Sequence, residues 1–299
     1  MKLKPSLKSL AKRGLLNFYI IILSLIFGCS SPITPSYLKE DIQKAIQDIC
    51  RSEYQMEIKA KLVGQTLWLY LPLEDIFTKT EKPEKYLEKF SIARNNDELK
   101  EDSLKVEYLI KTIPEQEKYQ EYDYNKGIPE KINNVWKVLR RVLFSMEKSN
   151  KAEPHFFCLV VADIKNGFEI RELFYYLDLK KVSYEFISWT EYHHRTIQDT
   201  LISPQIIGDK EGSHLDYKDI TLGDFVLAQI QHRIKLKFQK PEVDKNADID
   251  KEILKIVVYT LKTYDFKDFS QVELNNLLTN SKTVLNQAAL WARPTEQRF

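Results

Sequence analysis

HFFCLVVADI (residues 155–164), KNG (165–167) and FEIRELFYYL (168–177) are the stretch on which the fold turns. Two apolar runs flank an Asn-Gly pair, and both central residues of a type I′ turn need positive φ, which asparagine and glycine tolerate best. The stretch therefore reads as a β-hairpin closed by a two-residue type I′ turn. Ile170, Leu173, Phe174 and Leu177 in the second arm also fit a helical spacing, and the strand reading is the one adopted.

Moving outward from it, residues 129–148 carry the clearest helical pattern. Ile132, Val135, Trp136, Leu139, Leu143 and Met146 form one apolar stripe behind Pro129 in the first turn. Residues 37–53 repeat the pattern through Leu38, Ile42, Ala45, Ile46 and Ile49, and 56–63 with 65–71 read as a hairpin around Gly64. The arm QTLWLYL is apolar on both faces, which suits an interior strand, and Pro72 is expected to end it. Helix then hairpin thus occurs at 37–71 and again at 129–177, suggesting an α-β-β pseudo-repeat. Between the copies, residues 74–102 are charged and aperiodic and read as a solvated excursion. Leu104, Val106, Tyr108 and Ile110 alternate as in a strand over 103–112, and 118–125 is a weaker strand candidate.

Beyond the hairpin, Ser188 and Glu191 form a capping-box pattern at the head of a helix over 188–201. A polar loop at 203–219 follows, then a helix over 221–238 with Thr221 and Asp224 as a second capping box. A linker at 240–249, a helix over 250–264, and a helix or strand pair over 270–291 complete the chain, with a loose tail after it. The expected fold class is α+β: an antiparallel sheet of β-hairpins covered by amphipathic helices, with a helical C-terminal third. The expected divisions are 1–28, 29–36, an N-terminal α+β region at 37–126 and a C-terminal α+β region at 127–299.

The first residues carry a different message. Lys2, Lys4, Lys8, Lys12 and Arg13 precede an apolar run, LLNFYIIILSLIF, of about 13 residues. That run is shorter than the roughly 20 residues a spanning helix needs, and its basic head would hold the N-terminus on the cytoplasmic side. It ends in Ile26-Phe27-Gly28-Cys29. This order of parts resembles the signal peptide of a bacterial lipoprotein, and residues 26–29 resemble its lipobox. The resemblance covers residues 1–29 only. It implies cleavage after Gly28, diacylglycerol on the Cys29 sulfur, and a body tethered through 29–36 to a membrane of the cell envelope, facing the periplasm or exterior. An uncleaved N-terminal anchor is the plain alternative.

The net charge of +2 falls to −3 once the five basic residues of the head are removed, so the remaining chain has no electrostatic footprint for nucleic acid. Glycine is scarce, at 8 residues, which argues against a glycine-rich barrel or a nucleotide-binding fold. Cys50 and Cys158 form either one disulfide, which an exported protein permits, or two buried thiols. No Gly-x-Ser-x-Gly turn is present, and Ser145 to Lys148 has Ser-x-x-Lys spacing only at a helix end. Asp163, before the tight turn, is either a catalytic acid or a hairpin-edge residue, and the second is preferred. The densest polar cluster is Glu191-Tyr192-His193-His194-Arg195, with Asp199 further on. Glu191 and His194, at i and i+3, make half a metal site that His214 and Asp216 could complete. A surface role is preferred for them, so no cofactor, metal or catalytic residue is assigned and Cys29 is the one site residue. The expected function is a non-enzymatic envelope lipoprotein that binds or scaffolds another envelope component of unknown identity, an envelope protein being one candidate. The alternative is an envelope hydrolase or metalloenzyme built on Glu191, His194 and His214.

Overall fold

The computed structural model describes residues 41–146, 154–240 and 242–294. The signal, the tether and the lipidation reading at Cys29 lie outside them, as do the first residues of the expected 37–53 helix, the end of the 129–148 helix and the last five residues of the tail.

The first helix, α1 (Ile42–Tyr54), starts where the Asp41 carboxylate accepts the backbone N–H groups of Gln43 and Lys44. It ends at Gln55, which takes a left-handed conformation at φ +55°. Its buried face is Ile42, Ala45, Ile46, Ile49 and Cys50. The hairpin β1 (Lys59–Val63) and β2 (Thr66–Leu73) follows. Gly64 sits between them at φ +55°, where a Cβ would collide with the Asp219 carboxylate. β1 is a sheet edge, and α1 closes part of it. Gln43 and Gln47 accept the N–H groups of Leu62 and Ala60 at 2.8 and 3.1 Å, using donors that would otherwise be open to another chain.

Next comes a long hairpin, β3 (Phe77–Lys100) and β4 (Ser103–Tyr124), then α2 (Ile128–Met146). β5 (Phe156–Asp163), β6 (Phe168–Tyr175), α3 (Tyr176–Ser183), α4 (Trp189–Arg195) and β7 (Ile197–Ile202) follow in order. The last part holds α5 (Leu222–Gln239), α6 (Ile249–Thr263), β8 (Gln271–Asn276), β9 (Ser281–Asn286) and α7 (Gln287–Trp291).

The strands form two mixed sheets, so the fold is α+β. The first has the order β1-β2-β5-β6-β7 and the second β3-β4-β8-β9. Each joins antiparallel hairpins through one parallel pair, β2 with β5 and β4 with β8. Parallel neighbours need a crossover, and in both cases helices lie in the connection: α2 in the first sheet, α5 and α6 in the second. The α-β-β pattern recurs, since α1-β1-β2 and α2-β5-β6 lie side by side in the first sheet with β2 against β5. The division expected near 126 falls between β4 and α2, and both sheets draw strands from either side of it.

One face of the first sheet carries Trp68, Tyr70, Cys158, Val160 and Ala162, packed with Ile206 and Leu215 of the loop after β7. The period of two puts Leu67, Leu69, Leu71, Phe157, Leu159, Val161 and Phe174 on the other face, and all are buried. α2 covers that face, with Trp136 4.2 Å from the Phe174 ring. α1 packs beside it, held by a two-pronged ion pair from Arg141 to Glu53. Each large apolar side chain buried in this way contributes about 1.5–3 kcal/mol. The second sheet buries Leu104, Val106, Tyr108 and Ile110 of β4, in the expected alternation, against Phe225, Ile230 and Ile234 of α5 and Ile253, Ile256 and Val257 of α6. Cys50 and Cys158 are both free, buried thiols, each pushed up to about 12, mainly by burial.

Several expectations change. Residues 74–102 are mostly the strand β3, not a solvated excursion. Its stretch up to Lys85 and the facing end of β4 form a ribbon exposed on both sides, so neither face needs apolar residues and no alternation is written there. β4 runs unbroken through both segments read as separate strands. Pro72 does not end β2. β1 pairs only as far as Tyr70, so the missing N–H of Pro72 lies on the side with no strand. The turn after β5 has four residues rather than two. Only Gly167 has positive φ, and Asp163 caps the turn by accepting the N–H groups of Lys165 and Asn166. Asp163 also accepts from the Ile76 N–H at 2.8 Å, so it is a buried turn residue. The helix expected over 188–201 stops at Arg195, because residues 197–202 find a strand partner in β6. The capping box at α5 forms as expected, with Thr221 and Asp224 exchanging hydrogen bonds of 3.0 and 3.1 Å. No helix among the described residues is long and apolar enough to cross a membrane.

Candidate functional site

The structure does not gather Glu191, His194 and His214. On α4, Ser188 caps the first turn through the Glu191 N–H. The Glu191 carboxylate itself accepts from Arg195 Nε at 2.7 Å and from the Tyr259 hydroxyl at 2.9 Å. Burial raises its pKa, but these bonds outweigh burial and hold it below the usual range. Arg195 does not pair with Asp199, which lies on β7. It joins α4 to α3 through Asp178 at 2.8 Å. His194 is half-buried and pushed down, first by burial and then by neighbouring cations. Among the described residues no group of three His, Cys, Asp or Glu side chains is placed to hold a metal ion.

His214 lies on the loop after β7, in a closed network. Its Nδ1 is 2.6 Å from Asp209 and its Nε2 is 2.8 Å from Glu169, so both ring nitrogens are engaged by carboxylates and neither is left for a metal. Glu169 is fully buried on β6 and also meets Arg171 at 2.5 Å. Asp209 accepts further bonds from the backbone of Glu211, Gly212 and His214 and from the Ser213 hydroxyl. Burial raises the Asp209 pKa, but the His214 ring and these donors outweigh it and carry it well below the carboxylate range. Tyr70 of β2 closes the set, donating to the Asp209 carbonyl and setting its ring 5.8 Å from that of His214. Gly212, at φ +71°, is required because a Cβ would crowd the Tyr70 ring and the Tyr217 hydroxyl. The network fastens the 203–220 loop over the first sheet.

The opposite face of β6 lies under α2, with a cleft beside it. Ile170, Glu172 and Phe174 point there, and Glu172 stands at the edge of a cleft of about 480 Å³ between α2, β6 and α4. Its walls include Ile132, Trp136, Arg140, Trp189 and Tyr192. The rings pack edge to face, Trp136 with Tyr192 at 6.0 Å and Trp189 with Tyr192 at 5.8 Å. The Arg140 guanidinium lies 5.7 Å from the Trp189 ring centre. Its Nε is buried and meets no hydrogen-bond partner. Burial pushes Glu172 up to about 7, against the pull of a hydrogen bond from Trp136. Neither Glu172 nor Arg140 makes an ion pair, with each other or with another described residue.

A second cleft, of about 500 Å³, lies between β3 and α5. Among its polar walls, Arg94 pairs with Glu107 at 3.0 Å and Asn95 donates to the Gln231 carbonyl. His232 there is pushed down to about 4, chiefly by burial. The α2–α4 cleft is therefore the candidate site, since it alone of the two combines aromatic walls with unneutralised charges.

Of its residues, Trp136 was legible as part of a helical stripe and Tyr192 only as a member of a polar cluster. Glu172 was missed. The signal for it is a charged residue at an inward position, between Ile170 and Phe174, in a strand whose alternation is otherwise apolar on that side. Compared with protein-family models, with curated proteins and with solved structures, the chain matches none.

Proposed function

We propose that this is a lipid-anchored protein of the cell envelope whose folded body binds a small ligand in the α2–α4 cleft without transforming it. The basic head, the short apolar run and Ile26-Phe27-Gly28-Cys29 support the anchor, with Cys29 as the lipidated residue and the body facing the periplasm or exterior. An envelope protein is the partner class that this location offers, and the near-neutral body gives nucleic acid no footprint. The observation that carries the binding reading is the cleft itself: aromatic walls with a carboxylate and a guanidinium that form no ion pair with any described residue. Its volume lies within the roughly 300–1,000 Å³ of ordinary ligand pockets. Among the described residues its lining holds no serine or cysteine, which favours binding over nucleophilic turnover.

Two measurements test this. Labelled palmitate should enter the wild-type protein and not Cys29→Ala, and equal labelling of both would remove the anchor. Titration with the dye 1-anilinonaphthalene-8-sulfonate should saturate at about one molecule per chain, as expected for a single apolar pocket. Ile132→Trp, which fills the cleft from α2, should abolish that signal while the circular dichroism spectrum stays unchanged. Dye uptake that never saturates, or that the filled cleft retains, would remove the binding reading.

A further inference from the structure

The charges in the cleft narrow the ligand, on the reading that the cleft is a binding site. Glu172 faces it from β6 and Arg140 from α2, both without an ion-pair partner. They also fail to reach each other, although they share one cavity. Lys137 and His193 line the same rim, and Tyr124 and Tyr192 complete the titratable set.

A ligand carrying only a positive charge would pair with Glu172 but meet Arg140 and Lys137. A ligand carrying only a negative charge would pair with Arg140 but approach Glu172 uncompensated. A molecule with both charges, held apart, supplies each group with what it lacks. Its apolar part would lie against Trp136 and Trp189, whose faces also favour the positive group. Glu172 and Arg140 do not come within ion-pair distance of each other, and a cleft of about 480 Å³ has room for more than a single amino acid. An α-amino acid puts its two charges on one carbon, whereas a dipeptide separates them by a peptide unit. We propose that the cleft binds a dipeptide-sized zwitterion with an apolar side chain, its ammonium on Glu172 and its carboxylate on Arg140. Desolvation of Glu172, which holds it near 7 in the free protein, is the penalty such an ammonium would relieve.

The test uses three probes that differ by one charge each: alanyl-phenylalanine, its C-terminal amide and its N-acetyl form. Calorimetry on the wild-type protein should show the zwitterion binding at least about tenfold more tightly than either blocked form, since each lost charged contact is worth about a factor of ten. Glu172→Gln should cost the zwitterion and the amide about tenfold and leave the N-acetyl form unchanged. Arg140→Gln should cost the zwitterion and the N-acetyl form and spare the amide. A blocked form that binds as tightly as the zwitterion, or a Glu172→Gln loss equal for all three, would overturn the proposal. If the dye saturates the cleft but no dipeptide binds, this inference falls and the binding reading stands. If the dye also fails, both fall.

Discussion

Glu169 and Glu172 stand three residues apart on one strand, so they point to opposite faces of the sheet, and their surroundings could hardly differ more. Glu169 is fully buried yet fully answered, by the His214 ring and by Arg171. Glu172 is less deeply placed and is met only by a hydrogen bond from Trp136: indole and phenol rings strip its water, and among the described residues no cation pairs with it. Burial alone therefore does not mark a functional carboxylate. What separates the two is whether the structure has already supplied the counter-charge. Where it has, the group fastens a loop. Where it has not, the site is left to be completed by something from outside.

The first way to break this comparison is to remove the answer to Glu169. His214→Ala would take from Glu169 and Asp209 the hydrogen-bond partner they share, and each carboxylate left short of a bond in this way costs about 1–3 kcal/mol. Urea denaturation should show that loss, with the far-ultraviolet spectrum retained in the absence of urea. A loss under about 1 kcal/mol, the level of an exposed ion pair, would mean that the network fastens nothing.

A smaller effect, with a pH dependence, should come from the other side. The folded-state pKa of Glu172 is raised, so its contribution to stability is fully present below the unfolded value and is lost as pH rises through about 7. Glu172→Gln should thus stabilise the protein by about 1–3 kcal/mol at pH 8 and hardly at all at pH 4. Asp209 runs the other way. Its pKa is lowered, so its contribution is present at neutral pH and is lost as pH falls through the acid range. Denaturation midpoints of wild type and Glu172→Gln that stay parallel between pH 5 and 8 would remove the distinction between the two faces.

The halves of this comparison were not equally readable from the chain. The hairpins at 59–73 and 156–175 and the helices they flank were legible because each buries one face or stripe, which writes a period of 2 or 3.6 into the residues. The ribbon of β3 buries neither side in its stretch up to Lys85, and so leaves no period to read there. Residues 197–201 read as the continuation of α4 because local spacing carries no trace of the β6 edge beside them. The same limit hid the sites. His214 and Glu169 are 45 residues apart in sequence, and only the closure of the 203–220 loop brings them together. Glu191, His194 and His214 looked like a set because polar residues stood out, whereas the cleft draws mostly on aromatic residues that read as core. Glu172 was the exception, since a charge at an inward strand position is visible without any structure.

The most direct measurement is a carbon-13 NMR titration of the glutamate carboxyl groups in the purified protein, with Glu172→Gln identifying one resonance by its absence. The account predicts that this resonance titrates with a midpoint near 7, as burial without a counter-charge requires, and that the midpoint falls when a dipeptide zwitterion is added. A midpoint near the ordinary glutamate value, about 4.3, would show that Glu172 is solvated or already partnered, and would contradict the view of the α2–α4 cleft as a site awaiting its ligand.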